Sequence, residues 1–147
     1  MRIHASLPRP ARCAPFVLAL LIAASSAPAS AQMGEIRSTL DGVYTGEQAD
    51  LGEQVFTKIC SQCHNAGNPL SGRLFLSKWS NQSLYRIWDF ITNRMPYGAP
   101  GSLSVEEYAG VLAFILRLNG YPSGETPLPQ VFYEIGMINL DLHPDPM

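Results

Sequence analysis

Residues 60–64 read Cys60-Ser61-Gln62-Cys63-His64, and the chain around them decides how the rest is read. The cysteines stand three apart, about one helical turn, with a histidine directly behind the second. Upstream, Gly52, Val55, Phe56, Ile59, Cys60 and Cys63 recur at steps of three and four, so the motif closes the apolar face of a helix. That helix opens at Thr45, where Gln48 three residues later completes a capping box. Gly52 lies inside it, at a cost of about 1 kcal/mol against alanine. A second helix crossing closely at that point is a physical reason to accept the cost.

Downstream, residues 65–73 are loop by composition, and Leu74, Phe75, Leu76 and Trp79 form an apolar cluster too short to assign. Leu84, Ile87, Trp88, Ile91 and Met95 share a face, which predicts a second helix from near Asn81 to Met95, ended by Pro96. Residues 96–103 are turn-rich. Ser104 and Glu107 form a capping box for a third helix with the stripe Tyr108, Val111, Leu112, Ile115 and Leu118, stopped by Asn119-Gly120 and Pro122. Prolines at 122, 127, 129, 144 and 146 predict an extended tail over residues 122–147. No repeat and no alternating strand pattern appears. The expected fold class is all-α with three main helices.

The 147 residues are 46% hydrophobic and 15% charged, with a net charge of −2. This suits one packed domain. No basic run favours nucleic acid, and no apolar stretch is long enough to span a bilayer. Residues 1–31 read as an export signal: Arg2, Arg9 and Arg12, then apolar Phe16 to Ala24, then the Ala29-Ser30-Ala31 cleavage box. Residues 32–44 read as a flexible lead-in. After cleavage, seven basic and twelve acidic side chains remain, a net charge of −5, with Cys60 and Cys63 the remaining cysteines.

Cys-x-x-Cys-His is the pattern of c-type haem attachment. Two thiols on one turn can each add across one of the two haem vinyl groups, and the adjacent histidine then supplies an imidazole nitrogen to the iron. Three other readings compete. A thioredoxin-like pair belongs near a βαβ pattern, which is missing here. A structural zinc needs four ligands, and Cys60, Cys63, His64 and His143 would have to supply them. A plain Cys60–Cys63 disulfide would leave His64 incidental. Given haem, a second axial ligand is needed. Among Met33, Met95, Met137 and Met147, Met95 is best placed, because it closes an apolar helix face and is fixed by Pro96. Met137 and His143 are the reserves, and ordinary core filling is the default role of such a methionine.

At this point the sequence resembles the small monohaem c-type cytochromes with His/Met ligation, over roughly Thr45 to Tyr121. The resemblance is carried by Gly52 and Phe56, Cys60 to His64, Met95-Pro96, and Val111 to Ile115. The stretch from Met95 to Ser104 is also similar to cytochrome subunits that accept electrons from pyrroloquinoline-quinone alcohol dehydrogenases. The resemblance implies a cytochrome c domain over 45–121, three main helices around one covalently bound haem c, and Cys60, Cys63, His64 and Met95 as its site. It implies that Gly52 and Phe56 cross the last helix, with Val111 and Phe114 as counterparts. It suggests Pro69 as the carbonyl partner of His64. Trp79, Tyr97, Arg73 or Arg94 are candidate propionate contacts, but the reading preferred for them is Trp79 as core and the arginines as solvated; Phe75, Trp88, Ile91 and Leu112 are the expected pocket lining.

The expected function is a periplasmic electron carrier with no catalytic residues. It would shuttle single electrons between a periplasmic dehydrogenase, such as a quinoprotein, and a downstream acceptor. The acidic net charge suggests a partner with a basic patch around its own redox centre. The alternative is a small haem oxidoreductase or ligand sensor in which the Met95 position is open.

Overall fold

The structure is a computed structural model that describes residues 34–67 and 69–142. The expected export signal over residues 1–31, Met33, His143 and Met147 lie outside the described residues. The helices are α1 (Gly46–Lys58), α2 (Gly72–Trp79), α3 (Tyr85–Arg94), α4 (Val105–Leu118) and α5 (Phe132–Gly136). Three very short strands accompany them: β1 (Arg37–Ser38), β2 (Gln82–Ser83) and β3 (Ile138–Leu140). A single 3-10 turn over Cys60–Gln62 extends α1.

The fold centres on α4, whose residues Tyr108 to Leu116 are all buried. The predicted stripe is therefore only one side of a helix covered all round. Its start matches the sequence reading: Ser104 Oγ accepts from Glu107 N at 3.1 Å, and Glu107 Oε2 accepts from Ser104 N at 2.8 Å. α1 crosses α4 at Gly52. A Cβ on Gly52 would overlap the Gly110 carbonyl, and one on Gly110 would crowd the Gly52 backbone. Phe56 and Phe114 meet at the same crossing, with ring centroids 5.3 Å apart. Arg117 of α4 bridges back to Asp50 at 2.6 Å and Glu53 at 2.7 Å on α1. These half-exposed pairs contribute little, on the order of 0–1 kcal/mol each.

Several expectations are corrected. The cluster at 74–79 forms a two-turn helix, α2. The second predicted helix starts at Tyr85 and not near Asn81. Asn81 adopts a left-handed φ of 59°, and Gln82–Ser83 pair antiparallel with β3. The helix does end where the proline rule puts it, with Met95 in the extended region and its N–H on Ile91 O at 3.1 Å. Among the described residues the fold is mostly helical, as expected, but it has two helices beyond the three expected and a small sheet of order β1-β3-β2, with β1 parallel to β3.

The tail is not merely extended: it carries α5 and the central strand. Leu128 and Ile138 are 1% exposed, and Ile135 and Leu140 fully buried. The lead-in is packed too, with Thr39, Val43 and Tyr44 buried. Gln48 leaves the predicted capping box half-made. Thr45 Oγ1 does accept from Gln48 N at 3.2 Å, but the Gln48 amide turns to the tail. Its Nε2 donates to Leu128 O at 3.1 Å, and its Oε1 accepts from Leu128 N at 2.7 Å. A primary amide reproduces a strand's pairing pattern in this way.

Tyr44 and Tyr121 complete the strap. Tyr44 Oη donates to Tyr121 O at 2.6 Å, and Tyr121 Oη donates to Asp141 O at 2.6 Å. Burial, opposed by the Thr39 hydroxyl and aided by the Asp141 charge, pushes the Tyr121 phenol from 10.0 up to about 12. The raised value means the folded state holds the proton more tightly. This stabilisation is fully present below pH 10 and is lost as pH rises from 10 towards about 12. Urea melts across that range should show stability falling in the wild type and a flatter profile for Tyr121→Phe.

Candidate functional site

The 3-10 turn that follows α1 places both thiols and the histidine on one short run of backbone. Cys60 O accepts from Cys63 N at 3.1 Å and from His64 N at 2.9 Å. Cys60 is half-buried and Cys63 exposed, and both are free thiols. Burial pushes the Cys60 thiol above its ordinary value, which keeps it protonated at neutral pH. Among the described residues no three or more His, Cys, Asp or Glu side chains gather as a metal site, so the zinc reading finds no ligand set there. The motif follows a helix, with no strand leading into it, as a thioredoxin-like pair would require.

The loop behind His64 is tied to the end of α4 by one residue that the sequence reading used only as a helix stop. Asn119 Oδ1 accepts from Gly72 N at 3.0 Å, and its Nδ2 donates to Leu70 O at 2.9 Å and Ile115 O at 2.8 Å. The expected partner of His64, Pro69, is exposed. The carbonyl held in this loop is that of Leu70.

Met95 stands half-buried at the end of α3, and its peptide bond to Pro96 is cis. Tyr108 braces it: the phenol donates to Met95 O at 2.7 Å and accepts from Gly101 N at 2.9 Å. One hydroxyl thus pins both ends of the Met95–Gly101 loop to α4. In the sequence Tyr108 is indistinguishable from its apolar neighbours in the stripe, so this role could not be read there. Met137 caps α5 and offers its carbonyl to Arg37 N at 2.9 Å.

Of the proposed lining, Phe75, Trp88, Ile91 and Leu112 are all in the core. Trp79 is half-buried, edge-on to Phe90 at 5.6 Å and covered by the Lys78 ammonium at 4.5 Å. Tyr97 is 92% exposed, and Arg73 and Arg94 are exposed. Leu74 is 58% exposed, and Ile59, Leu103 and Phe90 pack only partly against the core. The structure thus brings Cys60, Cys63 and His64 together on one turn, and places Met95 separately, at the end of α3 with its backbone carbonyl held by Tyr108.

Residues 47–115 match the family described as cytochrome c oxidase, cbb3-type, subunit III. The match runs from the first turn of α1, through the Cys-x-x-Cys-His turn and Met95, into α4. The chain carries a c-type cytochrome domain. No curated protein and no solved structure matches the chain. The cofactor of this cytochrome is covalently bound haem c, and its chemistry is haem-based electron transfer. The tail strap over residues 121–142 and the β1 segment lie outside the matched stretch. No helix among the described residues of the cytochrome is long and apolar enough to cross a membrane.

Proposed function

We propose that this cytochrome is a periplasmic single-electron carrier, delivered by cleavage after Ala31 and working between a dehydrogenase, such as a quinoprotein, and a downstream acceptor. The observation that supports this most is the joint placement of Cys60, Cys63 and His64 on one turn, with Met95 braced separately by Tyr108. Cys60 and Cys63 would hold the cofactor through thioethers, each S–H adding across a vinyl double bond with no oxidant needed. His64 and Met95 would be the axial ligands. Haem c supplies a one-electron ferrous/ferric couple.

The chain's own contribution is to keep imidazole and thioether in place in both oxidation states. Filling both axial sites favours electron exchange over substrate binding, and a thioether ligand raises the reduction potential. The low polarity of the surrounding side chains works in the same direction. Rigid anchoring at α4, through Asn119 on one side and Tyr108 on the other, limits the rearrangement that each electron would require.

The experiment is the visible spectrum of the exported protein, oxidised and reduced, with and without cyanide. A six-coordinate spectrum that ignores cyanide is expected. Rapid cyanide binding would contradict the carrier and favour chemistry at the iron.

A further inference from the structure

The charges of this chain are sorted along it. Between residues 54 and 103, the stretch that holds both thiols, His64 and Met95, Lys58, Arg73, Lys78, Arg86 and Arg94 face Asp89 alone, a net of +4. Residues 34–53 and 104–142 each carry five acids and one arginine, −4 apiece. All five cations of the central stretch are exposed. None lies within ion-pair distance of a carboxylate among the described residues, whereas Arg117, outside that stretch, is gripped by Asp50 and Glu53. Lys78 sits instead over the rings of Trp79 and Phe90, 4.5 and 4.7 Å from their centroids, which ties the cation of α2 onto α3. Glu106 and Glu107 open α4 beside the Met95 loop, and Glu107 is engaged at Ser104.

Resting on the electron-carrier reading, we propose that the haem-bearing stretch is a docking surface for a redox protein whose contact face is acidic. Net charge alone points to a basic partner, but it averages over faces that a partner never meets. A charge already neutralised within the chain contributes little field beyond itself, while an unpaired exposed cation acts over a screening length of about 8–10 Å. The two haem propionates subtract two charges from the stretch and leave it positive. Complementary charge of this kind raises the encounter rate and orients the brief, small contacts typical of electron transfer.

The test is stopped-flow oxidation of the ferrous holoprotein by ferricyanide, a trianion, and by tris(phenanthroline)cobalt(III), a trication, over a range of salt. The ferricyanide rate should fall severalfold from low to physiological ionic strength, and the cobalt rate should stay level or rise. Arg73→Glu with Arg86→Glu should remove or invert the ferricyanide trend. Glu125→Lys with Glu134→Lys, a change of net charge equal in size and opposite in sign placed elsewhere, should leave it within about twofold. A short poly-aspartate peptide at low salt should shift backbone amide resonances in residues 58–94 and spare those in 46–53.

A ferricyanide rate that rises with salt overturns the proposal. So does a Glu125/Glu134 variant that moves the rates as far as the arginine variant, or a peptide footprint on 46–53. These results leave the carrier reading intact. A chain with no oxidisable haem contradicts that reading and the proposal together.

Discussion

Replacing Met95 with alanine lowers the reduction potential by on the order of 100 mV or more and opens the iron to cyanide and carbon monoxide. Axial ligands set haem potentials over a span of about 0.8 V, and a thioether favours the ferrous state. Removing it leaves one axial position to water or an added ligand. Spectroelectrochemical titration of wild type and variant reads the shift directly. Tyr108→Phe is the informative companion. It keeps the thioether but removes the hydrogen bonds to Met95 O and Gly101 N, so its effect on the potential should be smaller and in the same direction. An unchanged potential in Met95→Ala contradicts the ligand assignment. In that case Met137 is the next methionine to replace.

Gly52→Ala should destabilise the cytochrome by on the order of 3 kcal/mol or more, a large fraction of a typical domain's 5–15 kcal/mol. The methyl group would meet the Gly110 carbonyl and Val111 N, which are backbone atoms of the buried central helix and cannot rotate aside. The gain of about 1 kcal/mol in helix propensity is far too small to offset that overlap. Gly46→Ala serves as the control, since nothing lies within 4 Å of its added Cβ. Urea unfolding of the two variants, each with haem attached, should separate them clearly. Equal stability would mean that the close crossing is not what Gly52 supports.

The parts of the fold legible in the sequence are those specified locally. Ser104 and Glu107 cap α4 as read, because a capping box is closed within four residues. Pro96 ends α3 at Met95 through a clash between neighbouring residues. Gly52 announced the α1–α4 crossing, and Phe114 is its aromatic counterpart. Gly110, the residue that makes the approach possible from the α4 side, carries no such signal, because it interrupts an apolar run without breaking the period.

Other features depended on residues far apart in the chain. Leu128, Ile135, Ile138 and Leu140 are scattered among prolines and charges and show no period. They become core only because β3 pairs with residues 37–38 and 82–83. The Gln48 side chain could satisfy its own helix or the tail 80 residues on, and sequence spacing favours the nearer partner. The same holds for Tyr108 and Asn119, whose hydrogen bonds to Met95, Gly101, Leu70 and Gly72 position the site. The candidate haem-holding groups are thus legible from spacing, and the side chains that hold their loops in place are not.

The most direct measurement is the intact mass of the exported protein after denaturation, made in cells with working haem-attachment machinery. Wild type should carry the mass of the polypeptide plus one haem, and Cys60→Ala with Cys63→Ala the polypeptide alone. A bare polypeptide mass for the wild type would contradict covalent attachment through these two thiols, and with it the account of the site.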